Sequence, residues 1–303
     1  MATLRDIRTR ITSVKSTKQI TNAMKMVSAA KLRRATEAAV SARPWQTTLT
    51  ATLQRIAGGG SGGGEVQHPL LEARAQVRNV LLVVISTDRG LCGGFNGTLL
   101  RQTETWLKTQ RNTSVPGTGH NEAQPRNVRI HTYGKKARDF FKARGIPVAE
   151  VRIDVSSVNF QDEVQALAAE MVRGFTSGEY DECVVAYNEF KNTISQVPTF
   201  ARVLPLSIDA SASAHTGPAV DYVYEPKGSA ILETLLPLYL RTLLLQTFLE
   251  TGAGEQAARM TAMDNATRNA TDLIKSLTLD YNRGRQAAIT KELIEIVSGA
   301  EAL

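Results

Sequence analysis

Residues 255–303 constrain this chain more than any other stretch. Apolar or small residues recur at Met260, Met263, Thr267, Ala270, Ile274, Leu277, Tyr281, Gly284 and Ala288, the alternating three-four step of a helix seamed against one other helix. Unbroken, such a helix runs on the order of 70 Å at about 1.5 Å per residue, beyond what one compact domain covers. It therefore needs a long partner. Past Gly284 the pattern widens, because Ile289, Leu293, Ile294, Ile296, Val297 and Ala300 cover an arc of roughly 160° at about 100° per residue. Two readings stand. The end is either an ordinary amphipathic helix on its own domain, or it is built to stand in an apolar socket supplied by another molecule, with Lys291, Glu292 and Glu295 projecting elsewhere.

A second seam lies at the front. Leu4, Ile7, Ile11 and Val14 form a seam, and after Lys18 apolar spacing resumes with changed phase at Ile20, Ala23, Val27 and Ala30, which predicts a second long helix. The net charge of +7 is concentrated here. Arg5, Arg8, Arg10, Lys15, Lys18, Lys25, Lys31, Arg33, Arg34 and Arg43 face only Asp6 and Glu37 within residues 1–43. A basic helix of this kind suits nucleic acid, anionic lipid or an acidic protein surface, and it also serves as a solvated face that keeps a rod soluble. An arginine-rich front is a feature of transit peptides too, but the seam running through it marks mature protein.

Between the two helices the pattern changes. GGGSGGG at residues 58–64 cannot hold a helix and reads as a hinge or surface loop. NVLLVVIS at 79–86 is a β-branched run typical of a strand covered on both faces. Helices are expected at 99–108, 135–144 and 161–175, and strands at 128–133, 148–153 and 183–190. This alternation predicts a mainly parallel layered sheet. Residues 194–206 contain Pro198 and Pro205 and suit an edge strand. Residues 112–126 and 211–218 read as loops. A strongly apolar helix follows at 231–249; Glu233, Pro237 and Arg241 inside it argue against a membrane span, and it is expected to pack between the sheet and the first helix. Gly252 and Gly254 are expected to weaken the helix before the terminal rod. The fold class read from these residues is α/β, with a central Rossmann-like domain between two long helices. The expected division is 1–57, 58–76, 77–208, 209–228 and 229–303.

Chemistry is sparse. Hydrophobic content of 42% supports a buried core, and only Cys92 and Cys183 occur, so no disulfide framework is indicated. His68, His120, His131 and His215 show no metal-binding spacing. TDRGLCGG at 87–94 follows a strand and precedes a helix, where a phosphate-cradling loop would sit. It lacks GxxxxGK[ST] and GxGxxG, so a tight turn is favoured over nucleotide binding. Asp88 as a base and Cys92 as a nucleophile lack an orienting partner in sequence. No cofactor and no metal is assigned.

Five strings carry a resemblance over nearly the whole chain: ITNAMKMVSAAKLRR at 20–34, STDRGLCGG at 86–94, ARMTAMDNAT at 258–267, YNRGRQA at 281–287 and ITKELIEIVSGA at 289–300. Together they resemble the gamma subunit of rotary F-type ATP synthases. The resemblance implies a long antiparallel coiled coil of the N- and C-terminal helices above the α/β domain, in a non-catalytic central stalk that couples rotation of a membrane ring of c subunits to ATP synthesis in an alpha-beta ring. It implies as partners the alpha and beta subunits, an epsilon-type or delta-type subunit and the c ring, with no nucleic acid and no membrane contact except through that ring. Met24, Lys31, Arg33 and Arg34 at the front, and Leu293, Ile296 and Val297 near the end, would meet the alpha-beta ring. Arg285, Gln286, Thr290 and Glu292 would act there as polar latches, and Asp88, Arg89, Gly90 and Leu91 would touch neighbouring rotor parts. The implied location is peripheral, on the cytoplasmic face of a bacterial plasma membrane or the matrix face of the mitochondrial inner membrane. From the residues alone, a basic coiled coil that binds nucleic acid and a small nucleotide-binding α/β enzyme remain as alternatives.

Overall fold

The computed structural model describes residues 3–57, 68–115, 124–155, 160–207 and 228–301. The glycine run at 58–64 and the small-residue stretch at 211–218 lie outside them. The chain divides into two compact units, Met1–Ala30 with Arg259–Leu303, and Lys31–Ala258. Helices α1 (Leu4–Ala57) and α5 (Gly228–Glu301) each contribute to both units.

In the first unit α1 and α5 run antiparallel. Thr21 Oγ1 and Thr267 Oγ1 are 2.8 Å apart, Lys25 Nζ donates to Asp264 Oδ1 at 2.6 Å, and a Cβ on Gly284 would stand 3.1 Å from Leu4 Cδ2. One number rises as the other falls, which fixes the register. On α5 the expected seam holds throughout: Met263, Ala270 and Leu277 are buried, and Met260, Thr267, Ile274, Tyr281, Gly284 and Ala288 are partly buried. On α1 the seam keeps one phase through Leu4, Ile7, Ile11, Val14, Lys18, Thr21, Lys25 and Ser28. The expected change of phase after Lys18 does not occur. Ile20 and Val27 are 61% and 55% exposed, while Ser28 is 2% exposed. Small polar residues let two helices approach closely, and Thr21 satisfies its hydroxyl on Lys18 O and on Thr267. The Asp264 carboxyl is held below its ordinary value, first by the hydrogen bond from Lys25 and further by Arg268.

The second unit is a layered α/β structure. Strands β1 (Asn79–Ile85), β4 (Asn127–Tyr133), β5 (Glu150–Arg152), β6 (Glu182–Phe190) and β7 (Gln196–Leu204) form a five-stranded sheet in the order β5-β4-β1-β6-β7. The pairs up to β6 are parallel, and β7 is an antiparallel edge. Residues 112–126 are not all loop, because β2 (Ser114–Val115) pairs with β3 (Gln124–Pro125). Helices α2 (Phe95–Asn112) and α3 (Lys135–Ala143) follow β1 and β4, and α4 (Phe160–Thr176) follows β5. The chain moves outward from β1 to β4 to β5 and then returns across the sheet to β6. Right-handed crossovers then place α4 on the face opposite α2 and α3.

The core shows this division. Val80, Leu82 and Val84 pack with Leu99, Leu100, Leu107, Ala137 and Phe141 from α2 and α3. Leu81, Val83 and Ile85, on the other side of the pleat, pack with Val164, Leu167 and Met171 from α4. The same cluster takes Leu49, Leu53 and Ile56 from α1 and Leu232, Leu236, Leu240 and Leu244 from α5. This is the place expected for the apolar helix 231–249, and among the described residues no helix is long and apolar enough to cross a membrane. The expected weakening at Gly252 and Gly254 is not seen, since α5 runs unbroken through both. Gly254 is small for a packing reason: a Cβ there would meet Phe95 Cε2 at 2.9 Å. Helix α2 begins at Phe95, ahead of the expected Leu99, because its first turn includes Asn96 and Gly97 and so carries no apolar period to read.

A buried carboxylate secures the entrance to the sheet. Asp181 Oδ2 accepts from the backbone N–H groups of Arg78 and Asn79, each at 2.8 Å, and Oδ1 accepts from Arg74 Nη1 at 3.3 Å. Replacing it by alanine leaves those part-buried donors unsatisfied. Asp181→Ala is expected to destabilise this unit by about 1–3 kcal/mol, seen as a lower urea midpoint; an unchanged midpoint would remove the carboxylate from this role.

Candidate partner-binding surfaces

The residues expected to meet partners fall in both units. In the first, Thr21 lies beside Thr267 and Leu4 beside Gly284, so α1 begins where α5 still has a turn of seam left. With Leu4, the first residue of α1, beside Gly284, no described residue of α1 lies opposite α5 beyond Ala288. Residues 289–298 are all exposed, including Ile289 at 48%, Leu293 at 57%, Ile294 at 60%, Ile296 at 68% and Val297 at 56%. Among the described residues of their own unit, nothing withdraws these apolar side chains from water.

The polar residues of this end do not form one cluster. Arg285, Glu292 and Ile296 fall within one strip of the helix, whereas Gln286, Thr290 and Val297 fall on another roughly 120° away, at about 100° per residue. Thr290 Oγ1 donates to Gln286 O at 2.9 Å, so its hydroxyl is held by the backbone. Lys291 pairs with Glu295 at 3.5 Å across one turn. Met24 is partly buried and stands far from Arg285, roughly 30 Å along the coil by the antiparallel register.

Lys31, Arg33 and Arg34 belong to the second unit and are exposed. Arg33 Nε donates to Glu37 Oε1 at 2.9 Å, with the two side chains 85% and 63% exposed, a surface pair that constrains the arginine little.

The loop after β1 occupies the carboxyl end of the central strand, where the sheet order changes direction and ligands of such sheets commonly bind. Its polar groups are engaged with one another. Thr87 N donates to Asn96 Oδ1 at 3.1 Å, Thr87 Oγ1 donates to Arg89 O at 2.6 Å, and Asn96 Nδ2 donates to Cys92 Sγ at 3.3 Å. Asp88 Oδ1 accepts from Lys135 N at 2.9 Å and so caps α3. Leu91 is 62% exposed and adopts φ 64°, the left-handed region that leucine rarely enters. An exposed apolar side chain held in a strained conformation marks a surface with a purpose beyond packing. Cys92 is buried, as a packing cysteine would be.

One cluster is not legible from spacing. His131 on β4, Glu150 on β5 and Glu170 on α4 offer ligand atoms all within 4.8 Å of one another. Burial pushes the imidazole down from its ordinary value and pushes the Glu170 carboxyl up, with Glu150 adding like charge to the latter. No sequence signal joins residues contributed by separate elements in this way.

A family model described as ATP synthase matches residues 3–303. A protein called ATP synthase gamma chain from an Anaeromyxobacter species is 47% identical over 306 residues, covering 100% of both chains. Another of that description from Desulforamulus reducens is 42% identical over 303 residues, again covering 100% of each. Among solved structures, a chain of the Euglena gracilis mitochondrial ATP synthase rotor superposes with a TM-score of 0.61 at 22% identity, over 94% of this chain and 98% of that one. A chain of the Tetrahymena thermophila mitochondrial ATP synthase central stalk and c ring gives 0.56 at 24% identity, over 82% and 99%. These structures show a likeness of fold.

Proposed function

Since the chain belongs to the gamma chains of the ATP synthase family, we propose that its bare α5 end is the shaft tip that works inside a ring of alpha and beta subunits. The chain is a central-stalk subunit without a catalytic site of its own. The observation that carries the reading of the tip is the overhang: α5 extends past the start of α1, and Ile289, Leu293, Ile296 and Val297 stand exposed there. An apolar surface of this kind is stable in water only if something covers it in the assembly.

Physics asks this subunit for shape. A ligand shifts a conformational equilibrium only by interacting differently with its states. A tip with Arg285 and Glu292 on one strip and Gln286 and Thr290 on another is asymmetric about its axis. Turning it inside a near-symmetric ring presents each beta subunit with these strips in succession, which makes nucleotide affinity depend on angle. Lys31, Arg33 and Arg34 would complement acidic loops of the ring. The loop Asp88, Arg89, Gly90 and Leu91 would meet the epsilon-type or delta-type subunit and the c ring, Leu91 by its exposed side chain and Asp88 by holding the loop against α3. Contact with the membrane would be only through the c ring, on the cytoplasmic face of a bacterial plasma membrane, a placement supported by the full-length bacterial relatives.

Expressed together with the alpha and beta subunits of its own host, the chain should co-elute with them on gel filtration, and purified alone it should hydrolyse no ATP. Failure to co-assemble would overturn the reading, as would ATP turnover that tracks with the isolated protein.

A further inference from the structure

We propose that His131, Glu150 and Glu170 hold one divalent cation of the zinc class, and that the ion ties the edge strand β5 to β4 and α4. The inference rests on geometry. His131 Nδ1 lies 3.5 Å from Glu150 Oε2 and 3.4 Å from Glu170 Oε1. Those separations exceed the usual 2.7–3.2 Å of a hydrogen bond to oxygen. These two edges are close to the spacing of ligands around a tetrahedral ion, whose donors about 2.0–2.1 Å from the metal stand roughly 3.3–3.4 Å from one another, while the third edge, between the carboxylates, lies within 4.8 Å and closes as the glutamates turn onto the ion. The imidazole side chain is 3% exposed and its Nδ1 faces the two carboxylates. Its other nitrogen, Nε2, is buried with no hydrogen-bond partner among the described residues.

The surroundings favour a cation. Glu150 and Glu170 bring two potential negative charges to one place, and Arg152 pairs with the other oxygen of Glu150. Arg129, which also acts on His131, is itself paired with Glu179. The charges of Arg129, Arg152 and Arg173, in that order, pull the Glu170 pKa down against its burial. Glu170 has no close cationic partner of its own among the described residues, and burial together with the Glu150 charge makes its ionised form costly. A divalent ion removes that cost. The carboxylate side chains are 30% and 28% exposed, which leaves a route from solvent and room for a water as fourth ligand. A nitrogen and two carboxylate oxygens suit zinc-class ions better than magnesium, which prefers octahedral oxygen.

The ion would act structurally. β5 is a three-residue edge strand paired only with β4, and its attachment to α4 otherwise depends on side chains. The ligands come from all three elements, so binding would add to the stability of the folded unit as the site fills.

The test uses the full-length chain without a histidine tag, stripped with chelator and titrated with zinc chloride by calorimetry, with thermal unfolding followed in parallel. The expected result is saturable binding of one ion per chain and a raised unfolding midpoint, with magnesium chloride at the same concentration producing neither. Glu170→Gln and Glu150→Gln should each weaken zinc affinity by at least ~10-fold, the lower end of what even outer-shell changes cost. Both glutamates are partly exposed, so these variants avoid the folding risk of replacing buried His131; circular dichroism confirms their fold. Absence of saturable zinc binding would overturn the proposal. Unchanged affinity in both glutamine variants would also overturn it, because the ion would then sit at a different histidine.

Discussion

Arg285→Ala is expected to lower coupled ATP turnover more than removal of residues 299–303 does. The two changes sit on the same end of α5 but act through different physics. Truncation after Ser298 takes away part of a non-directional apolar plug and leaves Leu293, Ile294, Ile296 and Val297, all more than half exposed in the free chain, to fill a socket. Each large side chain in such a plug contributes about 1.5–3 kcal/mol on full burial, so losing the extremity gives a graded defect. Arg285→Ala instead removes a planar donor able to make two charge-assisted bonds to one carboxylate. If its partner in the ring is a buried carboxylate, truncating the arginine leaves that charge unpaired, at about 2–5 kcal/mol. Both variants are reconstituted with the same alpha-beta ring, assembly is verified by gel filtration, and ATP hydrolysis and synthesis are then measured. A dead truncated shaft beside a normally running arginine variant would show that the plug carries the coupling and that Arg285 is not a latch.

What can be read from the sequence follows the distinction between pattern and contact. The α5 seam from Met260 to Ala288 is legible because its residues are apolar or small at every step and their period is a property of one chain segment. The α1 seam is legible only to Val14. Farther on, the buried positions are Thr21 and Ser28, and the apolar Ile20 and Val27 beside them point outward. A reading weighted by hydrophobicity follows the outward pair and reports a change of phase. The same weighting takes Gly252 and Gly254 for a weak point, since the ring of Phe95 that requires a bare backbone at Gly254 comes from a distant segment. The exposed Ile20 and Val27 gain a meaning from the correction: they share one strip of α1 outside its own seam, with the exposed Met26 roughly 110° away.

The sheet reads well because continuous runs such as β1 are covered on both faces, and alternation with helices implies parallel pairing. The particulars of its sites do not. That Asp88 caps α3 requires knowing that the loop after β1 and the start of α3 meet across 47 residues. The His131, Glu150 and Glu170 cluster requires three elements to be placed at once. Polar constellations assembled by topology leave no local period, whereas the exposed tip does, and that is why residues 289–297 stand out in the sequence alone.

Gly134→Ala should strongly destabilise the α/β unit, and Gly97→Ala should be mildly stabilising. Gly134 joins β4 to α3 at φ 100°, and a Cβ there would lie 2.6 Å from Ser86 O and 2.7 Å from Ser86 Oγ. Those atoms cannot give way cheaply. Ser86 Oγ donates to Tyr133 O at 3.0 Å and accepts from Ala137 N at 3.0 Å, and Ser86 N donates to Tyr133 O at 2.8 Å, so moving Ser86 disrupts the end of β1, the end of β4 and the first turn of α3 together. Backbone strain of about 1–3 kcal/mol adds to a steric cost of about 1–3 kcal/mol. Gly97 lies inside α2, and a Cβ there would meet nothing within 4 Å, so alanine gains about 0.5–1 kcal/mol by reducing the freedom of the unfolded chain. Urea unfolding followed by Trp106 fluorescence, which reports on this unit through its stacking on Phe200, separates the two: the midpoint falls for Gly134→Ala and rises for Gly97→Ala. Equal midpoints would mean that the loop after β1 yields freely to the added methyl, and that the contact of Gly134 with Ser86 does not set the junction of β1, β4 and α3.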